Sequence, residues 1–300
     1  MRLTSALVVA TLVSTGCSVK KLAINKLGDS LAGSGTTYAA DDDLELVGQA
    51  LPFSLKLVEG LLAESPKHRG LLFAAASGFT EYAYAYVQQD ADVVETQDVS
   101  KATDLRTRAR HLYLRARNYG LRGLDVRHRA FSMELARDPK AAVRVARKED
   151  VPLLYWTGAS WASAIAVSKD NPDLIADQRI VEALIDRALE LDPDFDSGAI
   201  HGFLITYETA RQGATGDPMA RSRMHFDREV ALTKGQLASP FVSLAEAVSV
   251  QNQDRAEFES LLKRALAVDP DARVEWRLQN LIVQRRARWL LAREDDLFAK

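Results

Sequence analysis

Residues 181–193, Val181-Glu182-Ala183-Leu184-Ile185-Asp186-Arg187-Ala188-Leu189-Glu190-Leu191-Asp192-Pro193, decide the fold. Val181, Leu184, Ile185, Ala188 and Leu189 recur at i, i+3, i+4, i+7 and i+8, the spacing of a helix with one buried stripe. Asp192-Pro193 ends that helix, because the residue before a proline is driven out of helical geometry and proline has no N–H to donate. The same pair suits the start of a following helix, as cap and first residue. Phe258, Leu261, Leu262, Ala265 and Leu266 repeat the stripe 77 residues later and close on Asp269-Pro270.

Two looser copies precede these. Leu57, Val58, Leu61 and Leu62 lead to Pro66, and Phe131 and Leu135 lead to Asp138-Pro139, with Glu134 where an alanine belongs. The ending resembles the second helix of a tetratricopeptide repeat. The proline spacings of 73, 54 and 77 exceed that family's period, so extra helices separate the copies. The sequence therefore predicts an all-α fold: degenerate tetratricopeptide-like helix pairs in a single α-solenoid-like domain over 44–300. The plain alternative is an ordinary helical bundle. Helices are expected at 44–51, 52–65, 68–90, 101–119, 122–137, 139–147, 151–168, 178–191, 197–212, 218–235, 240–251, 254–267 and 273–298, with every proline at a helix boundary. Alternating strand patterns are absent.

Cysteine occurs once, at position 17. Ahead of it stand Arg2, an 11-residue mostly apolar stretch from Leu3 to Val13, and the small residues Ser14, Thr15 and Gly16. This is the order of a secretory signal, too short to span a membrane. A cysteine directly after small residues resembles a bacterial lipobox, although Ser14 stands where that pattern favours Leu. Residues 1–16 are thus expected to be a signal peptide, Cys17 the lipidation site, and 17–43 a tether and surface segment. An otherwise cysteine-free chain suits an oxidising compartment. With 39 basic and 41 acidic residues and no block of like charge, a basic face for nucleic acid is not supported. Asp41-Asp42-Asp43 reads as a helix cap; companion carboxylates at cation-ligand spacing do not follow.

Catalytic chemistry finds no foothold. Gly158-Ala159-Ser160-Trp161-Ala162 half matches a nucleophile elbow but lacks the preceding strand and second glycine. Gly33-Ser34-Gly35-Thr36-Thr37 lacks the lysine of a phosphate loop. The histidines at 68, 111, 128, 201 and 225 form no pair at i, i+3 or i+4, so no helical metal site is expected. No catalytic residue, metal or cofactor is assigned. What stands out is aromatic. Tyr82 and Tyr86 share a helix face with Phe79. Tyr155, Trp156 and Trp161 lie on an Ala- and Gly-rich helix. Tyr207 follows Ile200 and Phe203, with His201 and Glu208 beside it. Such stripes are core, or they line an apolar channel with a few polar groups. Tyr82, Tyr86, Tyr155, Trp156, Trp161, His201, Tyr207 and Glu208 are the channel candidates.

Gly16-Cys17-Ser18-Val19-Lys20-Lys21, Leu51-Pro52-Phe53-Ser54-Leu55-Lys56, His68-Arg69-Gly70-Leu71-Leu72 through Gly78-Phe79, Arg115-Ala116-Arg117-Asn118-Tyr119-Gly120, Val151-Pro152-Leu153-Leu154-Tyr155-Trp156 and Ile185-Asp186-Arg187-Ala188-Leu189 through His201 follow in an order that resembles the TatT family. These are the T-component lipoproteins of tripartite ATP-independent periplasmic (TRAP) transporters. The resemblance implies a lipid-anchored periplasmic protein that partners a transporter's solute-binding protein. It also implies an apolar channel and a homotrimer. Ser18 after the cysteine resembles lipoproteins sent to the outer membrane. The expected function is a non-enzymatic adaptor that docks the solute-binding protein and assists transfer of an apolar or amphipathic solute. A helical-repeat scaffold for envelope assembly, without ligand, is the alternative.

Overall fold

The computed structural model describes Lys26, residues 35–211 and residues 213–299. Cys17, the expected signal and most of the expected tether lie outside them. The described residues are helical, with no strand among them.

Helix α1 (Gly35–Ala39) leads into α2 (Leu44–Glu64). Asp43 caps α2, accepting from the amides of Glu45 and Leu46 at 3.1 and 2.9 Å. The expected break at Pro52 does not occur. Val47 on one side of the proline and Leu55, Val58 and Leu62 on the other are buried on one continuous stripe. Their burial outweighs the one hydrogen bond that proline cannot make. Helix α3 (Arg69–Ala83) passes through a single π turn, Tyr84–Gln88, into α4 (Gln89–Val94).

Helix α5 runs unbroken from Val99 to Arg127. Sequence reasoning placed a stop at Gly120, and the structure shows why the glycine is there instead. Gly120 and Gly123 are where α5 meets α8 (Val151–Ala166). A Cβ at Gly120 would sit 2.1 Å from the Thr157 hydroxyl oxygen, and one at Gly123 2.8 Å from Leu153. The true break falls at His128–Ala130, where Ala130 adopts φ 61° before α6 (Phe131–Arg137). Asp138-Pro139 then behaves as predicted: Asp138 ends α6 and caps α7 (Pro139–Ala142) through the Ala141 amide at 3.1 Å.

After α8 come α9 (Pro172–Ala176), α10 (Gln178–Leu191), α11 (Ala199–Tyr207), α12 (Pro218–Thr233) and α13 (Ser239–Leu244). A second π turn, Ala245–Ser249, follows α13, then α14 (Arg255–Ala267) and α15 (Arg277–Ala292). The two repeat copies are α10 and α14. Val181, Leu184, Ile185 and Ala188 are buried in the first, and Phe258, Leu261, Leu262 and Ala265 in the second. Leu189 and Leu266, at the fifth position of each stripe, are both half-buried. Ser160, the serine of the half-matched elbow, is fully buried inside α8 and donates to the Thr157 carbonyl at 3.0 Å.

Helix neighbours follow chain order, and the order closes. Helix α2 packs on α3, α3 on α5, α5 on α8, α8 on α10, α10 on α11, and α11 on α12 and α13. Helix α13 packs on α14, α14 on α15, and α15 returns to α1 and α2. Long-range polar contacts fasten this return. Arg277 donates to the Ala40 carbonyl at 2.9 Å, Arg285 to the Ala85 carbonyl at 2.5 Å, and Arg286 bridges Asp92 at 2.8 Å and Glu246 at 2.6 Å. Another fastening joins the far side: buried Asp150 meets Arg69 and His128, each at 2.8 Å. Burial alone would raise the Asp150 carboxyl, but the Arg147 amide, His128 and Arg127 outweigh it and hold it below its ordinary value.

Candidate functional site

Tyr155 stands at the meeting point of four segments. Its ring lies 5.1 Å from Trp156 and 5.7 Å from Phe195. Phe195 opens a turn in which Asp196 and Ser197 take φ 45° and 56°, followed by Gly198 at 101°. Two non-glycine residues in succession in left-handed geometry are costly, and packing must hold them there. Gly198 faces α12: a Cβ on it would lie 3.1 Å from Leu232. The turn thereby carries Asp196 toward Tyr155 and Glu81. Burial lifts the Tyr155 hydroxyl above its ordinary value, and the charges of Glu229, Asp196 and Glu81 add to the effect in that order. Three carboxyl groups, from α12, the turn and α3, thus act on the Tyr155 hydroxyl.

None of the three has a basic partner among the described residues. Burial, then Asp196, pushes Glu81 up to about 7. Asp196 is raised by burial alone. Burial pushes Glu229 up to about 8, with the Ser239 hydroxyl acting slightly against it. Glu229 is 2% exposed, and its Oε2 makes no hydrogen bond. Gly202 on α11 makes room for it, since a Cβ there would lie 2.6 Å from Oε1. Burial thus favours the protonated, neutral form of Glu229. One turn away, His201 and His225 face each other at 2.8 Å between their Nδ1 atoms, so one ring donates and the other accepts. Burial, then His201, holds His225 down to about 4, and the pair is neutral at physiological pH. No group of three ligands able to hold a metal ion is found among the described residues.

Glu81 and Asp196 differ from Glu229 in one respect: both side chains are open to solvent. So is Tyr84, one turn beyond Glu81 and 42% exposed, yet burial still raises its hydroxyl. Glu246 of the second π turn, Arg286 and Asp92 act on it next. Two clefts of about 550 and 660 Å³ lie elsewhere, one along α14 at Ala256, Glu259 and Lys263, the other at Arg127, Arg144 and Arg187. Neither touches any of the aromatic candidates.

The model of the TRAP transporter T-component family matches residues 40–298. The chain belongs to that family. An uncharacterized protein of Treponema pallidum (strain Nichols) is 31% identical over 306 residues, covering 96% of this T-component and 94% of its own length. The family is a transporter component, associated with transport at the periplasm and membrane.

Within this T-component the eight channel candidates do not converge. Tyr155 packs against Trp156 and Phe195. Tyr82 and Tyr86 stack at 5.8 Å beneath α2, with Arg108 donating to the Tyr82 hydroxyl at 3.2 Å. Trp161 donates to Asp177 at 3.2 Å, and Arg117 covers its ring at 4.6 Å. Tyr207 stacks on Phe203 at 5.1 Å. Glu208 is neutralised by Arg221 at 2.6 Å and Arg211 at 3.1 Å. His201 is committed to His225. Sequence reasoning missed Glu81, Tyr84, Asp196 and Glu229. Glu81 and Tyr84 sit three apart on a helix already singled out for its rings, and Asp196 precedes Ser197-Gly198, a turn signal. Glu229 gave no such signal.

Proposed function

We propose that this T-component is a non-enzymatic periplasmic lipoprotein that docks the solute-binding protein of a TRAP transporter and passes an apolar or amphipathic solute through a space enclosed by its helix circuit. The observation that carries the reading is geometric: the order of helix contacts closes, with Arg277, Arg285 and Arg286 of α15 bonded back to Ala40, Ala85 and Asp92. A closed order of helix contacts, with α15 fastened back onto α2–α4, gives such a space its wall. The repeated stripes of α10 and α14 support tetratricopeptide-like pairs arranged as one domain over 44–300. Cys17 anchors the chain to a membrane, the outer one in preference, and the working assembly is a homotrimer.

Docking needs an unburied apolar surface. Leu46, Phe53 and Leu57 form an exposed ridge along α2, with Phe53 75% exposed. Helix α2 is long and apolar enough, by length and composition, to cross a membrane. Its opposite stripe packs on α3, which favours a helix lying on the protein and offering its outer ridge to a partner. The purified protein, mixed with a TRAP solute-binding protein of the same organism, should form a complex detectable by calorimetry. Phe53→Asp should weaken that complex by roughly tenfold or more, as expected for a central aromatic anchor, with the melting temperature unchanged. Absence of any complex would favour the scaffold alternative.

A further inference from the structure

We propose that the arginine-lined cleft between the end of α5, the link at 143–147 and α10 binds the phosphate of a phosphomonoester, free or on a lipid headgroup. Nothing in this site depends on the proposed solute path.

The cleft measures about 660 Å³ and is walled by Arg127, His128, Arg144, Arg147 and Arg187, with Val145 and Ala146 as its two apolar residues. Three segments bring these together. Arg127 is the last residue of α5, and Arg187 lies on α10. The link carries the rest of the arginines: Val143 and Ala146 are buried, whereas Arg144 and Arg147 are exposed. The two apolar anchors thus fix the link and leave its guanidinium groups outside the core. Arg187 donates to the Ala146 carbonyl at 2.9 Å, which ties α10 to the link. Buried Asp150 ties the other wall, meeting Arg127 at 3.5 Å, His128 at 2.8 Å and the Arg147 amide at 3.0 Å.

Charge does not balance here. Arg69, Arg127 and Arg187 are matched by Asp150, Glu149 and Glu190, and Lys148 by Asp192. Arg144 and Arg147 have no carboxylate partner among the described residues. Two positive charges are therefore left over at one cleft. A separate observation also points to a missing acceptor: Nε of Arg187 is buried and makes no hydrogen bond. Unpaired buried donors are rare and call for an explanation. The repeat itself does not require this placement, since Arg264, at the same position of the second repeat, packs over the Phe241 ring at 4.4 Å.

Guanidinium groups pair with carboxylate and with phosphate. Charge and shape decide between them. A carboxylate is planar and carries one charge, and a phosphodiester also carries one. A phosphomonoester carries about −1.5 to −2 at pH 7, which answers the excess. Its three terminal oxygens point in different directions, as arginines arriving from three segments require. The two apolar lining residues offer small area to a hydrocarbon body, so recognition centres on the charged head.

The test uses the full chain with Cys17→Ala, so that no acyl group seats it on a vesicle. Calorimetry at fixed ionic strength compares glycerol 3-phosphate with glycerophosphocholine, its singly charged diester. The monoester should bind roughly tenfold tighter or more, the scale of one added charge-assisted hydrogen bond. Arg144→Gln/Arg147→Gln should abolish that preference with the melting temperature unchanged. Arg137→Gln/Arg288→Gln removes the same charge from exposed positions elsewhere and should leave the preference intact. Vesicle flotation separates the two sources: phosphatidylcholine vesicles carry phosphatidic acid or, at matched surface charge, phosphatidylglycerol. Preference for phosphatidic acid, lost in Arg144→Gln/Arg147→Gln, supports the site with a lipid headgroup as its occupant. Preference for the monoester in solution alone supports it with a free phosphomonoester. Monoester and diester bound equally in both arms, or a preference that survives Arg144→Gln/Arg147→Gln, would overturn the proposal.

Discussion

Leu184→Ala and Leu262→Ala should each lower the free energy of unfolding by about 2–5 kcal/mol. Both side chains are fully buried, at the same position of the two repeated stripes. Each deletion removes the burial of the lost methyl groups and leaves a cavity that neighbours fill only in part. Leu184 sits among Leu154, Ile185 and Ile200, and Leu262 among Phe258, Leu261 and Val283. The two clusters are distinct, so the double variant should lose about the sum of the single losses. Chemical denaturation of the three variants checks both points. A loss below about 1 kcal/mol at either site would be too small for a fully buried leucine and would contradict the burial.

Gly120→Leu should be at least as damaging, by about 3 kcal/mol or more, since overpacking a tight contact forces backbone to move. The first added carbon would overlap the Thr157 hydroxyl at 2.1 Å and approach the Thr157 Cα at 3.3 Å. Rotation of Thr157 cannot relieve the second contact, because that atom is backbone. Helices α5 and α8 would have to separate along their shared face, which also carries Gly123 against Leu153. Gly60→Leu is the control: it is equally helical, with nothing within 4 Å of its would-be Cβ. It should be neutral or slightly stabilising, because leucine is the better helix former. A melting temperature for Gly120→Leu close to that of Gly60→Leu would show that α5 and α8 do not meet as described.

The all-helical class was legible because the stripe of residues 181–189 and its Asp-Pro ending are local properties of the chain. Capping by Asp43 and Asp138 was legible for the same reason. What misled the reading was the dual use of glycine and proline. Gly120 marks a close approach between helices, and Pro52 is tolerated because a continuous buried stripe runs past it. Both facts depend on what lies across the helix, which spacing cannot reveal. The candidate site was less legible still. Aromatic stripes at helical spacing led to Tyr155 and Trp156, and also to Trp161 and Glu208, whose polar atoms are taken up by Asp177 and by two arginines. Glu81, Asp196 and Glu229 are 115 and 33 residues apart in sequence. Only the fold brings all three to bear on the Tyr155 hydroxyl.

The proposed enclosed space is tested most directly by thiol accessibility. Replacing Cys17 leaves no cysteine in the chain, so Glu81→Cys, Asp196→Cys and Arg137→Cys can each be placed singly on that background. Arg137 is the surface reference, with its side chain 81% exposed. A small methanethiosulfonate reagent should modify all three positions, whereas a polyethylene-glycol maleimide should modify Arg137→Cys alone. Polymer labelling of Glu81→Cys and Asp196→Cys as fast as the surface reference would mean that both residues face open solvent. Failure of the small reagent to reach either would mean a solid core, and each outcome would contradict the account.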